Sequence, residues 1–408
     1  MRQFPLENPK PDFEALKSAL LGEKQPKRVH IIDVADAEVI KHLTDALMEE
    51  DFPSMDESLF SGGSDSHRLK KLTGFLAGEG FKLIDGELDE IRIRRDIAFY
   101  YRMGLDIVPD FAPGLYMGSM IAALAAEEGL AGGGARHAAD TAQERLSRGQ
   151  RNWQEEKTGI IRSWQDFERI PWDRVDLDVL EMDDYYRYFG EQLPNGMAVT
   201  AISGIFEPGL VGALFGFEDL CYFLYEQPDL VRAVAEKWGQ LNFELYERMI
   251  SAKCVGVLWH VDDMAYSKQT MISVEHLREL ILPWLKKYAD LAHDRDKMVW
   301  LHCCGNIYPL MEDLIEVVGF DAKHSFEDSV MPVAQHMETY GRRIAGLGGV
   351  DMDKLCRLPV DELRGYCRSI LDACTPYGRF AYGSGNSIAN YVPTENVLAM
   401  LEEGYNYR

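Results

Sequence analysis

What this sequence lacks narrows the field first. No stretch reaches the roughly 18 uninterrupted apolar residues that a membrane helix needs, so no membrane span is expected. Residues 1–22 are polar and carry prolines, without the apolar centre of a secretion signal. Cysteine is scarce and odd in number, seven in 408 residues, and Cys303 and Cys304 are adjacent. A disulfide framework is therefore not expected, and a reducing cytoplasm fits better. Long basic runs are missing too: 43 Lys and Arg stand against 67 Asp and Glu, a net charge of −24. Phosphates would find no counterion surface, which excludes nucleic acid and anionic lipid as expected partners. The acidic excess reads as a well-solvated surface. There is no internal repeat and no low-complexity tract.

What is present is an ordinary globular enzyme composition, 46% hydrophobic, on a chain long enough to bury a large core. The C-terminal half alternates clearly. Strand patterns at 197–205, 255–260, 298–303, 321–326, 343–347 and 379–383 are each followed by a helical pattern. Those helices fall at 217–250 (broken at Pro228), 274–292, 308–318, 333–340, 360–374 and 394–403. Six such units argue for parallel βα repeats. In the first half, 29–33 and 105–108 are short strand candidates, and 159–163 begins or extends another. Helices are expected at 37–50 and 91–103. The glycine-rich turn of an open dinucleotide-binding sheet is absent. The expected fold is therefore an α/β (β/α)8 TIM barrel, a single domain over 1–408 with a helical extension at 1–104. An Ala/Gly-rich insertion at 118–149 reads as a lid or as a plain surface excursion.

In a parallel barrel, chemistry gathers where strands end. Glu207 follows the first of the six strands, and His260, Asp262 and Asp263 follow the second. His302, Cys303 and Cys304 close the third; His324, Glu327 and Asp328 close the fourth. Asp351 follows the turn after the fifth, and Ser384 and Asn386 end the last. Alternation puts His302 and Cys304 on one face and Cys303 on the other. An imidazole nitrogen and a thiolate two residues apart can share one zinc ion, although a buried cysteine is also a common inert hydrophobe. Asp262 and Asp263 suit metal binding, acid–base work or helix capping. Glu207 suits a metal or a loop hydrogen bond, and His324 a substrate contact or a satisfied place in the core.

Several of these stretches resemble the uroporphyrinogen decarboxylase superfamily. They are Asp262-Asp263-Met264 with Met271-Ile272-Ser273, then Pro283-Trp284-Leu285, then Leu301-His302-Cys303-Cys304-Gly305-Asn306. Trp164-Gln165-Asp166-Phe167-Glu168 with Pro171-Trp172, and residues 393–400 (PTENVLAM), are similar as well. The resemblance implies one of two branches. True decarboxylases of the haem pathway carry an arginine motif of the type R-Q-A-G-R, which this chain lacks. The cobalamin-dependent methyltransferase branch carries His-x-Cys and, much later, a further Cys at the end of the last strand. His302 and Cys304 match its first part; Ser384 stands in the region of the second.

On that resemblance we expect a zinc-dependent methyltransferase, with His302, Cys304 and Glu207 as metal ligands, Asp262 being the other candidate for the third place. Asp263, His260 and Asn306 are the expected catalytic residues, and Asp262, His324, Ser384 and Asn386 the expected substrate or cofactor contacts. The cobalamin would arrive on a separate corrinoid protein, because no Asp-x-His-x-x-Gly signature occurs here. A donor set with fewer thiolates suits oxygen, and so a methoxylated small molecule, better than a thiol. The family likeness also implies a homodimer. A metal-free lyase acting on a carboxylated substrate and a non-catalytic ligand-binding barrel are the alternatives.

Overall fold

The computed structural model describes residues 4–48, 87–130, 136–137, 152–153 and 159–407. Eight parallel strands make the fold: β1 (His30–Ile31), β2 (Ile107–Asp110), β3 (Ala198–Ser203), β4 (Val255–Val261), β5 (Met298–His302), β6 (Ala322–His324), β7 (Ala345–Leu347) and β8 (Phe380–Tyr382). Their spatial order is β1-β8-β7-β6-β5-β4-β3-β2, each neighbour parallel to the next. The two outermost strands of that order, β1 and β2, meet through side chains. Asp106, just before β2, accepts from Arg28 at 2.5 Å and lies 2.7 Å from His30 Nδ1. The sheet thus curls into the expected (β/α)8 barrel.

All six strands expected in the C-terminal half are present. The first half needs correction. Residues 1–104 are not a helical extension alone, because they supply the first barrel strand, β1. β1 falls inside the strand candidate at 29–33, and β2 overlaps the one at 105–108. Their place as barrel strands was not legible, because a two-residue strand buried throughout has no alternation to read. Residues 159–163 are not a strand. They hook onto the end of a neighbouring helix instead, with Gly159 and Ile161 donating backbone N–H groups to Phe215 and Leu214. Ser163 then caps the helix Trp164–Arg169.

Of the expected insertion, Gly118–Glu127 is the second half of a 16-residue helix, Ala112–Glu127, that buries Met117, Met120, Ile121 and Leu124. Alanine-rich sequence favours a helix intrinsically. Arg136–His137 pairs antiparallel with Asn152–Trp153. Residues 131–135 and 138–151, on which the lid expectation mostly rests, lie outside the described residues.

Proline sets the helix breaks. Phe217–Glu226 ends before Pro228, which opens Pro228–Ile250 at its first turn. The expected helix at 274–292 divides likewise into Val274–Leu280 and Leu282–His293, with Pro283 in the first turn of the second. The pattern at 308–318 becomes a 3-10 turn, Tyr308–Leu310, and a π-helical turn, Asp313–Val318.

The core has two compartments. One lies between sheet and helices; the other fills the barrel. Inside the barrel, Trp259 and Trp300 sit edge to face at 5.5 Å, and Ala198, Ala322, Ala345 and Ala381 leave room for them. Large rings opposite small side chains are how a barrel interior reaches close packing. The helix Phe13–Leu20 plugs the floor with Phe13, Leu16 and Leu20. Phe13 lies so near β4 that a Cβ on Gly256 would sit 2.4 Å from its ring. Packing therefore stabilises the lower end, and the strand C-termini at the other end are left for chemistry.

Candidate active site at the loop face of the barrel

Strand register builds the site. Val261 stands opposite His302, and His302 opposite His324. Trp259, Trp300 and Ala322 of the same strands point into the barrel, as does Leu347 opposite His324 on β7, so period-two alternation points His302 and His324 inward in its top layer. Beyond β5 the chain keeps alternating for two residues. Cys303 turns outward, where its Sγ lies 3.4 Å from the Met264 N–H. Cys304 returns to the inner side, as expected. Gly305 then makes the turn at φ +73°, passing so close to Tyr266 that a Cβ would lie 2.6 Å from its backbone.

Three unlike donors converge there. Cys304 Sγ lies 3.5 Å from His302 Nε2, and Asp263 Oδ1 lies 3.7 Å from the same nitrogen. One donor atom from each of Asp263, His302 and Cys304 falls within 4.8 Å of the others. Asp263 is held by the Cys304 N–H, which donates to Oδ1 at 2.8 Å. Asn386 Nδ2 donates to Cys304 Sγ at 3.2 Å, and Ser325 Oγ lies 3.6 Å from that sulfur. Burial first, and then the Asp263 charge, push the Cys304 thiol well above its ordinary range. Burial pulls both His302 and His324 below the usual imidazole value. The ring nitrogens of the two histidines touch, Nδ1 to Nδ1, at 2.7 Å.

The structure redistributes several expected roles. Asp263 stands with the proposed ligands, whereas Glu207 is outside that group of three. Glu207 borders it: burial and the charges of Asp263 and Asp262 raise its carboxyl to about 8. Asp262 is buried and caps the π-helical turn Phe206–Phe215, accepting from the N–H groups of Ile205, Phe206 and Glu207 at 2.6–3.1 Å. It is a cap, although of the helix before it and not of the one that follows.

His260 cannot act in the barrel mouth. His302 and its partner Val261 face inward, so His260 faces out, where it lies 3.0 Å from both Asp262 Oδ2 and Tyr246 OH. Asn306 is also turned away, donating from Nδ2 to the Lys268 carbonyl at 3.1 Å and from its backbone to Tyr266. Ser384 is buried and donates its hydroxyl to Asp33 Oδ1 at 2.6 Å, so it does not stand in for a late cysteine at the sulfur. Asn386, two residues on, reaches that sulfur instead. Glu327 accepts the Gly305 N–H at 3.1 Å. Asp328 and Asp351 tie loops: Asp351 caps the helix Met352–Arg357 and accepts from the Asp328 N–H, and Asp328 holds Lys354 and Tyr366.

Three contributors were missed by sequence reasoning. Ser325 sits at φ +115°, a strained conformation for a residue with a side chain, and donates to the Gly385 carbonyl at 3.0 Å. Buried Lys323 donates to the Ser325 carbonyl behind it. Asp33, at the end of β1, carries a carboxyl that burial raises to about 7 despite hydrogen bonds from Ser384 and Val34. A Ser or a Lys at the end of a strand and an Asp two residues past a two-residue strand carry no motif. Only the barrel's closure brings Asp33 to Ser384.

Fold and site together define a (β/α)8 barrel with a nitrogen, a sulfur and an oxygen donor assembled at its loop face. The chain belongs to the uroporphyrinogen decarboxylase (URO-D) family, whose model matches residues 195–407, a little over half of the sequence. No curated protein sequence matches it significantly. Among solved structures it is similar to a methyltransferase from Methanosarcina mazei, with a TM-score of 0.58 and 15% identity over 96% of this chain and 97% of that one. At that identity the likeness is one of fold. A fainter similarity, with a TM-score of 0.32 and 10% identity, links 54% of this chain to 80% of the xylanase XynB from Paenibacillus barcinonensis. Among the described residues, no helix is long and apolar enough to cross a membrane.

Proposed function

We propose that the chain is a zinc-dependent methyltransferase that moves a methyl group between a small methoxylated or otherwise methylated substrate and a corrinoid carried by a separate protein. The observation that carries this reading is the convergence of Asp263, His302 and Cys304 within 4.8 Å at the barrel mouth. One nitrogen, one sulfur and one oxygen fit zinc, and three protein ligands leave a fourth place for substrate, as catalytic sites require. When bound, zinc would supply Lewis-acid polarisation of an ether or alcohol oxygen, or hold a thiol as its thiolate.

The remaining work falls to the protein. The Asn386 amide donates to the sulfur of Cys304 and so favours its thiolate form. The Cys304 N–H fixes the Asp263 carboxylate. Glu207, whose carboxyl burial and the charges of Asp263 and Asp262 raise in the metal-free site, is the candidate acid for an oxygen that departs when its methyl group is lost. Asp262 holds the backbone from which Glu207 projects. One thiolate beside a carboxylate is a harder donor set than two thiolates, which favours an oxygen-bearing substrate.

The test is metal analysis of protein purified without chelators, alongside His302→Ala, Cys304→Ala and Asp263→Ala. We expect near-stoichiometric zinc, lost in all three variants, and methylation of cob(I)alamin by methoxylated aromatic compounds. A wild-type protein that stays metal-free after zinc reconstitution under reducing conditions would remove the chemical basis of the proposal and favour a metal-free lyase.

A further inference from the structure

We propose that His324 is a positioning residue that locks His302 in the tautomer whose Nε2 is bare, with the lone pair facing Cys304 and Asp263. The consequence for metal affinity rests on the zinc reading above; the proton assignment does not.

The assignment follows from counting protons along one chain of contacts. His324 Nε2 lies 3.3 Å from the Ser384 carbonyl oxygen, and a carbonyl can only accept, so this nitrogen carries the proton. In a neutral ring the other nitrogen, His324 Nδ1, is then bare. It lies 2.7 Å from His302 Nδ1. Two lone pairs would repel at that distance, so the contact needs a proton, and only His302 can supply it. His302 Nδ1 is therefore the N–H, and Nε2, in the neutral ring, keeps its lone pair. That nitrogen is the atom 3.5 Å from Cys304 Sγ and 3.7 Å from Asp263 Oδ1.

The arrangement is held from several sides. His324 is fully buried, and Trp259 packs edge-on against its ring at 5.3 Å. Gly348, at φ +86°, lies where a Cβ would come within 2.1 Å of the Ser384 carbonyl and 3.2 Å of His324 Nε2. Only glycine leaves that hydrogen bond undisturbed. The Ser384 backbone is in turn fixed by its N–H donating to Asp33 Oδ2 at 3.0 Å. A metal-ligating histidine commonly needs such a partner on its far nitrogen, and losing the partner costs about 10–100-fold in affinity.

The experiment is long-range proton–nitrogen NMR of metal-free protein with 15N-labelled histidine, with the His302 signals among the ten histidines identified by their loss in His302→Gln. We expect His302 Nδ1 to resonate as a protonated ring nitrogen and Nε2 as a bare one. His324→Leu should mix the tautomers and weaken cobalt(II) or zinc binding about 10–100-fold. His324→Asn, whose amide oxygen can replace the lost acceptor, should restore most of both. Gly348→Ala, which touches neither ligand, should shift the same signals. A His302 protonated at Nε2 in the wild type, or equal behaviour of the Leu and Asn variants, would overturn the proposal. If the tautomer is as assigned and no metal binds, the zinc reading fails while the proton assignment stands.

Discussion

Three successive side chains, His302, Cys303 and Cys304, show how much one residue's position decides. Alternation alone sends the outer two into the barrel mouth and the middle one behind the sheet, and the sequence is sufficient to read it. The same rule, applied to β4, excludes His260 from the mouth: once Val261 is paired with inward-facing His302, its neighbour must face out. What no pattern shows is the fate of residues beyond the strand ends. Asn306, Ser384 and Asn386 lie in irregular turns, and their partners are set by loop geometry without a period. Asn386 gives a direct prediction. Asn386→Leu keeps the volume and removes the N–H donated to Cys304 Sγ. A hydrogen bond of about 1 kcal/mol implies roughly a 5-fold loss of metal affinity, measured by competition with a chelator; no change would mean that the amide does not support the thiolate. Asp33 gives another. Its carboxyl is raised from 3.8 to about 7 in the folded protein, so the folded state binds the proton more tightly than the unfolded one. Stability from this group is present below about pH 4 and is lost as pH rises to about 7. Urea denaturation across that range should show wild type losing up to about 1.4 kcal/mol per pH unit relative to Asp33→Asn. Parallel curves would contradict it.

At the scale of elements, length determines legibility. Helices such as Val333–Tyr340 and Val360–Cys374 coincide with their sequence patterns because each buries an apolar stripe of period 3.6. Strands of two or three residues carry no period of their own, and β1, β6, β7 and β8 are readable only as the centres of the longer patterns at 29–33, 321–326, 343–347 and 379–383. The π-helical turn Phe206–Phe215 is the element that most affects the site. It follows β3, contains Pro208 and Gly209, and begins with three N–H groups that point at one buried carboxylate. The Gly209 backbone lies against Trp238, where a Cβ would sit 1.9 Å from the indole nitrogen. Sequence marks the proline and the glycine, but not the acceptor 55 residues away. Asp262→Ala should therefore destabilise the protein by about 3 kcal/mol, because it leaves buried donors without a partner. Chemical denaturation would read this directly, and a loss under about 0.5 kcal/mol would show that water replaces the carboxylate.

For the molecule as a whole, the barrel separates what stabilises from what reacts. The order of strands was legible from six regular βα units, whereas closure depends on Asp106, which joins Arg28, His30 and the start of the Phe13–Leu20 helix through Asp12. That helix seals the floor, and the proposed ligands stand at the opposite ends of the strands. Between the two ends lies the packed interior, where Trp259 reaches from the aromatic layer to His324. A cavity opened below that layer should cost stability without moving the donors above it, because close packing transmits a change only as far as neighbours must shift. Phe13→Ala is the variant that tests this separation. We expect a loss of about 3 kcal/mol in urea denaturation, as for other large-to-small core substitutions. Cobalt(II) affinity at 25 °C, where the variant remains folded, should stay within about 2-fold of wild type, a difference of roughly 0.4 kcal/mol. A larger fall in affinity would mean that the floor helix sets the geometry of the barrel mouth, and that the proposed site depends on the whole barrel and not on its upper layer alone.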